Sequence, residues 1–558
     1  MKKWQFLNQV KGQFTVDKVI KALLANRGLK TKISRQEFLQ PKPVNKLTVQ
    51  DVGLNEKELK RTTSRIQKAI KNKEKAIIYG DYDADGICAT AILWEALNRL
   101  GLQVMPFIPN RQEGYGLKNI RLQQFKEEKI SLIITVDNGI VHNLQAKKAK
   151  ALGLDLIITD HHLQGKKIPD AFSIIHTTKL AGCGVAYFLA RFLEKNITGQ
   201  TDFNRDLDLV VIGTIADVVP LIGPNRSLVK TGLDCFAGNK RPGLKALFSL
   251  SGLSLNDLSA WQIAFIVAPR LNASGRLEDP MQSLRLVCTR NRERAERLAW
   301  QIDGFNQERQ KILEQTVLKA RSLWLATDQK AKLVFVADKD FHEGIIGLVA
   351  GKLAEEFSRP AIVATFDQRT VKASARSIDG FNIVEAIRQH ADLLSSHGGH
   401  PKAAGLALPI EAFEQFRQLI VAFANDRLRD RDLKPLLRVD LPLKLAQIDL
   451  DFYRQLSQLE PFGEGNPEPL FAAFDLEVVQ AGLVGKDKNH LQLTVKQLDG
   501  LPIKAIGFNC GSFYPSLTRG TSVDIAFNLL RNDFAGRTSL QLKIRDIRFK
   551  KGDGKTKI

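Results

Sequence analysis

Between residues 75 and 162 the chain repeats one plan. Three short apolar runs, KAIIYG (75–80), SLIITVDNG (131–139) and LDLIITDHH (154–162), each end in a polar cluster, and helical patterns such as GICATAILWEALNRLG (86–101) separate them. Short apolar strands alternating with helices specify an α/β domain built on a parallel sheet. The polar clusters come immediately after the strands. The C-terminal edge of an open parallel sheet is where such folds bind ligands, so these clusters are the first place to look for chemistry.

The 558 residues exceed what one hydrophobic core supports, and several domains are expected. Residues 1–74 read as a basic helical region. Within it ANRGLKTKISRQEFLQP turns at Gly28 and stops at Pro41, and a helix with sparse apolar positions, suited to a surface, is expected over about 55–73. The first α/β domain is expected over 75–280, with residues 180–270 mostly helical. Residues 281–330 are charged, periodic and free of proline, which predicts a long connecting helix. A second α/β domain begins at KLVFVAD (332–338) and is assigned to 331–428, and RDRDLKP (429–435) reads as a linker. Over 436–550 the pattern turns to short strands, LEVVQAGLVG, LQLTVKQL, IKAIGF and SVDIAFNLL, which predict a small OB-like β-barrel. Residues 551–558 read as a disordered tail.

Charge narrows the partners. With 82 Lys and Arg against 60 Asp and Glu, the formal net charge is +22. Such an excess attracts polyanions, nucleic acid above all, although a merely basic enzyme is the plainer alternative. Cys88, Cys183, Cys235, Cys288 and Cys510 are odd in number and scattered without zinc-ligand spacing, so neither a disulfide framework nor a structural zinc is expected. The opening MKKWQFLNQVKGQF has no apolar signal core, and no apolar run approaches the ~20 residues that span a bilayer. The expectation is an unprocessed cytoplasmic protein with no membrane partner.

The polar clusters are carboxylates and imidazoles. Asp83 and Asp85 lie in GDYDADG, where alternate residues of an extended segment let both face one cation and Gly80 and Gly86 allow a tight turn. The run also resembles a calcium loop, but the position that needs the closing glutamate is apolar and the nearest glutamate is Glu95. Asp137 follows the next strand. Asp160, His161 and His162 follow the one after, and Asp217 sits in IADVVPL. Singly, an Asp after a strand is an ordinary helix cap and a His an ordinary polar residue. Together, four clusters at strand ends and on apolar helices supply what a catalytic divalent-metal site needs. Mixed Asp and His ligation suits Mn²⁺, and Mg²⁺ fits if water fills more positions.

GDYDADG, VDNG, TDHH and ADVVPL, in this order, resemble the motifs of the DHH phosphoesterase superfamily. NRGL and FLQP near the N-terminus, PRLNASGRL (269–277), ARSIDGFN (375–382), SHGGHPKAAG (396–405) and PFGEGNPEP (461–469) extend the resemblance to the bacterial RecJ exonucleases over nearly the whole chain. The resemblance implies a parallel-sheet DHH domain joined by a long helix to a DHHA1-type substrate-binding domain, followed by an OB-like nucleic-acid-binding domain. It implies a metal-dependent 5′→3′ exonuclease on single-stranded DNA that releases 5′-mononucleotides in recombination and repair.

Roles follow from the same resemblance. Asp83, Asp85, Asp137, His161 and Asp217 match ligands of two divalent cations, with Asp137 bridging them. His162 would contact the scissile phosphate and Asp160 would orient its neighbours. Arg111, Arg276, Ser374 and Arg376 match positions that hold substrate phosphates, including a 5′-terminal one, although any single Arg read alone is as readily a surface ion pair. His400 and Lys402 add charge and donors in a glycine-rich turn whose backbone can approach a phosphate. The strand would thread between the two α/β domains. The analogy also implies a single-strand-binding protein and a helicase as partners, with a monomer as the expected state.

The chain departs from the family pattern twice. His176-Thr177-Thr178 stand where the family carries Asn-Pro and a longer loop, and Phe341 stands in FHEGIIG where it often carries Trp; neither removes a ligand. Two other readings share the motifs. DHH oligoribonucleases and cyclic-dinucleotide phosphodiesterases are generally smaller and lack the OB-like domain. A non-catalytic replication scaffold of the same fold would have lost ligands that are all present here.

Overall fold

The computed structural model describes residues 2–9, 14–114, 116–327, 329–498, 500–534 and 537–549, so the tail expected to be disordered (551–558) lies outside the described residues. The chain forms two compact units. One comprises residues 43–219 and 227–434; the other gathers Met1–Lys42, Pro220–Arg226 and Pro435–Ile558.

The larger unit holds two sheets. The first is wholly parallel, with strands in the order Gln103–Phe107, Lys75–Tyr79, Ile130–Val136, Asp155–Asp160 and Ser173–His176. Its central strands are buried on both faces, as Ile133, Ile134, Ile157 and Ile158 show, and each such side chain contributes about 1.5–3 kcal/mol of transfer free energy. The helix Glu56–Lys71 departs from the surface placement that its sparse apolar positions predict. It buries Leu59, Ile66 and Ala69 together with Thr62, Thr63 and Arg65. The polar members find partners: Thr62 donates to Ser173 Oγ at 2.8 Å, and Arg65 donates through Nε and Nη2 to Asp155 and Glu74 at 2.6 and 2.7 Å. A burial pattern that uses threonine and a paired arginine is invisible to an apolar count.

Helices fill residues 182–277. The last runs from Ala260 through a π-helical stretch, Ile263–Val267, into Ala268–Leu277. The connecting helix is shorter than the charged stretch: Met281–Cys288 is a separate helix, Thr289 is extended, and Asn291 caps the 34-residue helix Arg292–Leu325 by accepting the Arg294 N–H at 2.8 Å. The second sheet has the order Ser396–His400, Ala403–Pro409, Thr370–Arg376, Ala361–Phe366, Val334–Ala337. Only the last pair is parallel.

In the smaller unit five strands of a six-stranded sheet close on themselves, and Leu441–Pro442 pairs beside Phe471–Val484. Phe471–Val484 pairs with both His490–Gln497 and Ser522–Phe534, and Ile503–Gly507 pairs with Arg537–Phe549. Residues 1–42 join this barrel. Lys3–Phe6, expected as helix, is a strand parallel to Leu436–Val439, because a segment with one buried residue in four gains more from backbone pairing at an open edge. Val19, Leu23, Leu24 and Phe38, from the helices Val16–Asn26 and Lys32–Leu39, share one core with Phe452, Phe471 and Phe527. No helix among the described residues is long and apolar enough to cross a membrane.

Candidate metal centre

The C-terminal ends of the parallel strands and the helices after them bring five carboxylates and two imidazoles together. Three overlapping sets, Asp81–Asp83–Asp137, Asp85–His161–Asp217 and Asp137–His161–His162, each hold ligand atoms within 4.8 Å of one another. Asp137 belongs to two of the sets. Nε2 of His161 lies 3.1 Å from Asp137 Oδ1, 3.5 Å from Asp217 Oδ2 and 4.0 Å from Asp85 Oδ2. That nitrogen is buried and makes no hydrogen bond among the described residues.

Local chain geometry explains the convergence. Asp83 caps the helix Ala84–Arg99 by accepting the Gly86 N–H at 3.0 Å, and the Ala84 N–H is taken by Asn272 Oδ1 at 2.8 Å. Asp85 accepts the N–H groups of Gly182 and Cys183, at 2.6 and 2.9 Å, at the start of the helix Gly182–Thr198. Asp137 has φ +61° and Val218, beside Asp217, has φ +58°. A left-handed backbone is costly at a β-branched residue, and strain of this kind persists where a surrounding site dictates it. Gly182 and Gly213 are required for close approach: a Cβ at the first would stand 2.6 Å from Asp137 side-chain atoms, and at the second 2.6 Å from Asp85 Oδ1.

Electrostatics point one way. Burial and the Asp83 charge hold Asp81 well above the usual carboxylate range; burial and the Asp85 charge raise Asp83, and the same pair of causes raises Asp137 strongly. Burial, then Asp85 and Asp83, push Asp217 up to about 9. Burial depresses His161, which is therefore a neutral donor of a lone pair. Carboxylates crowded this closely need positive charge. An oxygen-rich donor set with one neutral imidazole fits Mn²⁺ or Mg²⁺, and the orphaned Nε2 of His161 offers a cation its lone pair.

Asp160 behaves differently. Burial opposes its charge, but Oδ1 accepts from the N–H groups of His161 and His162 and from Nδ1 of His162 at 2.7, 3.1 and 2.8 Å, and Oδ2 accepts the Ile140 N–H at 2.9 Å. The outcome is a lowered pKa for Asp160. Burial also works against the charge on His162, yet Asp160 outweighs it and raises His162 to about 9. The departure at His176 meets the same loop: its Nε2 lies 2.7 Å from the His162 carbonyl oxygen and its Nδ1 3.1 Å from Gln164.

Arginines gather beside this centre. The Arg111 guanidinium lies 4.5 Å from the Tyr82 ring and donates to the Gly275 carbonyl, and Arg276 donates to the Gly344 carbonyl at 2.8 Å. Burial and then Arg111 bring Arg276 down to about 10, with Arg309 and Arg376 adding to the effect. Ser374 and Arg376 lie against Gly347, at the start of the helix Ile346–Phe357, where a Cβ would meet Ser374 Oγ at 2.9 Å and Arg376 Nη2 at 3.2 Å. Among the described residues Arg111, Arg276, Arg309 and Arg376 pair with no carboxylate, which leaves an anion as their natural complement. Lys402 is instead ion-paired with Asp379, and His400 is exposed on the edge strand Ser396–His400.

Sequence reasoning missed Asp81, Asn272 and Arg309. The third carboxylate of GDYDADG was the available signal for Asp81. Asn272 and Arg309 act across the fold and carry no local signature.

Three family models match: the DHH family N-terminal domain over residues 75–214, the DHHA1 domain over 329–426 and the RecJ OB domain over 439–546. The single-stranded-DNA-specific exonuclease RecJ of Bacillus subtilis (strain 168) is 35% identical over 546 residues, covering 96% of this chain and 68% of the relative. The chain belongs to the RecJ family. Its fold agrees with that assignment. The crystal structure of RecJ in complex with Mn²⁺ from Thermus thermophilus superposes with a TM-score of 0.82 at 30% identity, covering 98% of this chain and 79% of that one. The Mg²⁺ complex of RecJ from the same organism gives 0.74 at 28% identity, covering 98% and 78%.

Proposed function

We propose that this chain is a divalent-metal-dependent exonuclease that removes 5′-mononucleotides from single-stranded DNA in the 5′→3′ direction, in recombination and repair. The observation that carries the reading is the convergence of Asp81, Asp83, Asp85, Asp137 and Asp217 with His161, whose Nε2 is orphaned, in a chain of the RecJ family.

In this reading Asp83, Asp85, Asp137, His161 and Asp217 hold two cations, with Asp137 shared between them and Asp81 as an additional donor. When bound, the cations supply Lewis-acid activation of water and neutralise charge at the scissile phosphate. The chain's own groups do the rest. Asp160 keeps His162 protonated and aimed, so that an imidazolium N–H stands ready for a phosphate oxygen. Arg111, Arg276, Arg376 and Ser374 bind substrate phosphates, and Arg309, on the connecting helix, joins them. Glycines 344 and 347 let the backbone of the second domain approach that cluster. His400 and Lys402 serve later phosphates of the strand, Lys402 by exchanging Asp379 for one. The barrel unit grips single-stranded DNA, a single-strand-binding protein and a helicase are the expected partners, and the protein works as a cytoplasmic monomer.

The test is an oligonucleotide labelled in turn at its 5′ and 3′ ends, offered with Mn²⁺ as single- and double-stranded DNA and as RNA. Immediate release of a 5′-labelled mononucleotide from single-stranded DNA alone is the expected result. Preference for short RNA would place the chain with the oligoribonucleases, and tight binding without cleavage would make it a scaffold. Truncation after residue 434 is a poor probe of the barrel, because it strips Val19, Leu23, Leu24 and Phe38 of their core; substitutions on the barrel surface avoid this.

A further inference from the structure

The helix Ala268–Leu277 presents two polar side chains from an otherwise buried turn. Leu271, Ala273, Ser274 and Gly275 are buried, whereas Asn272 and Arg276 are half-buried. These two stand four residues apart, about one helical turn, so their side chains leave the helix on the same side. Arg276 is one of the arginines assigned to substrate phosphates. Asn272 is held by one edge of its amide, where Oδ1 accepts the Ala84 N–H at 2.8 Å. An N–H needs an oxygen as acceptor, so that bond fixes which way the amide faces and leaves Nδ2 with its hydrogens to donate. Among the described residues Nδ2 donates to nothing.

The surroundings of that donor change sign across it. Ala84 directly follows Asp83, the cap of the helix Ala84–Arg99. In the next turn of the helix that carries Asn272, a Cβ at Gly275 would stand 2.2 Å from the Tyr82 carbonyl oxygen, and the Gly275 carbonyl accepts from Arg111 at 3.3 Å. Asn272 therefore has the carboxylate of Asp83 on one side and the guanidinium groups of Arg111 and Arg276 on the other; Arg276 feels the charges of both Arg111 and Asp83. A cationic side chain at 272 would compete with metal ions for Asp83, and an anionic one would repel a phosphate at the arginines. A neutral donor does neither.

We infer that Asn272 donates from Nδ2 to an oxygen of the 5′-terminal phosphate of the strand, on the side of that phosphate nearest the metal centre, while Arg111 and Arg276 bind its other oxygens. The same amide is tied through Ala84 to the helix that follows Asp83 and carries Asp85. It therefore holds the phosphate at a fixed distance from the carboxylates, which sets the cut one nucleotide in from the end. The inference rests on the exonuclease reading above and adds to it a neutral residue that fixes the register of the strand.

The test compares the full chain with Asn272→Asp and Asn272→Ala. Asn272→Asp is close to isosteric and keeps an oxygen for the Ala84 N–H, but it replaces the donor with an anion; Asn272→Ala removes donor and acceptor together. The first readout is the ratio of kcat/KM for a 5′-phosphorylated single-stranded oligonucleotide to that for the same oligonucleotide with a 5′-hydroxyl. The parent should favour the phosphate. Asn272→Asp should lower the ratio roughly ten- to a hundred-fold, and Asn272→Ala about ten-fold. A purely structural loss slows both substrates alike and cancels in the ratio. The second readout needs no turnover: calorimetric binding of thymidine 5′-monophosphate to the metal-free protein, which Asn272→Asp should weaken about ten-fold or more. A parent without preference for the 5′-phosphate, or a ratio unchanged in Asn272→Asp, overturns the inference and leaves the exonuclease reading standing. Should the parent cleave neither oligonucleotide, the exonuclease reading fails instead, and the calorimetry decides: thymidine 5′-monophosphate binding unchanged in Asn272→Asp overturns the contact. A thermal melt checks each variant, and if Asn272→Asp does not fold, Asn272→Ala decides by the same ratio.

Discussion

Two clusters of buried acid lie within one domain, and they are compensated in opposite ways. Around Glu95, Glu194, Asp206 and Asp208 the chain supplies Arg99, Arg191, Arg205, Arg241 and Arg290. Arg241 alone reaches Glu95 at 2.8 Å, Asp206 at 2.6 Å and Asp208 at 3.2 Å, and Arg191 reaches Asp206 at 3.1 Å. At the ends of the parallel strands Asp81, Asp83, Asp85 and Asp217 make no salt bridge with lysine or arginine among the described residues; Asp81 and Asp83 gather with Asp137, and Asp85 and Asp217 lie beside the neutral His161. The first cluster is complete as the chain folds. The second is left short of positive charge, and the arginines close to it, Arg111 and Arg276, turn to backbone carbonyls instead. A protein that builds one fully paired network and leaves the other unpaired has reserved the second for cations from solution.

The largest effect that should separate the clusters is on turnover. Asp137→Asn is the informative change, because asparagine tolerates the left-handed backbone at this position whereas alanine adds strain. It should lower kcat by about 10³-fold or more. It should also raise the melting temperature of the metal-free protein, by the equivalent of about 1 kcal/mol, since it removes a crowded carboxyl that must take up a proton or repel its neighbours when the chain folds without metal. Loss of activity with an unchanged or lower metal-free melting temperature would break the comparison.

Arg241→Met tests the other side. It leaves Asp208 without its arginine and removes the shortest arginine contacts of Glu95 and Asp206, and should cost about 3–5 kcal/mol of stability, read by chemical denaturation, while Mn²⁺ binding by the folded fraction stays as in the parent. A matching loss of Mn²⁺ affinity would show that the two clusters are one.

The third prediction concerns pH. Asp217 has a folded pKa near 9 against an ordinary value of 3.8, so across that interval the folded metal-free chain holds a proton that the unfolded chain has released. Its stability therefore falls as pH rises, and a cation that displaces the proton restores it. The increase in melting temperature on adding Mn²⁺ should grow from about pH 6 to about pH 8.5; a flat or declining increment would contradict the shift. Smaller still is the effect of His176→Ala, which removes the contact to the His162 carbonyl oxygen and should lower kcat about ten-fold with little change in Mn²⁺ affinity.

What the sequence discloses follows the same division. The metal cluster is legible because its members are local: each carboxylate or imidazole sits at the end of a short apolar run, and the pattern that predicts the strand predicts its place. The paired network is not, since Glu95, Asp206 and Arg241 are far apart in sequence and look like ordinary surface charge. Lys3–Phe6 and the helix Glu56–Lys71 escape a sequence reading for a related reason. The first gains its structure from an edge strand more than 400 residues away, and the second buries threonines and a paired arginine where an apolar count expects leucine. Arg309 and Asn272 reach the centre only through packing of the helices that carry them.

The measurement closest to the central claim is the stoichiometry of Mn²⁺ binding to the metal-free protein, read by electron paramagnetic resonance or calorimetry. The account predicts two ions bound by the parent chain and by Arg241→Met, and fewer by Asp137→Asn. A parent chain that takes up no Mn²⁺, or an Asp137→Asn variant that takes up as much as the parent, would contradict it.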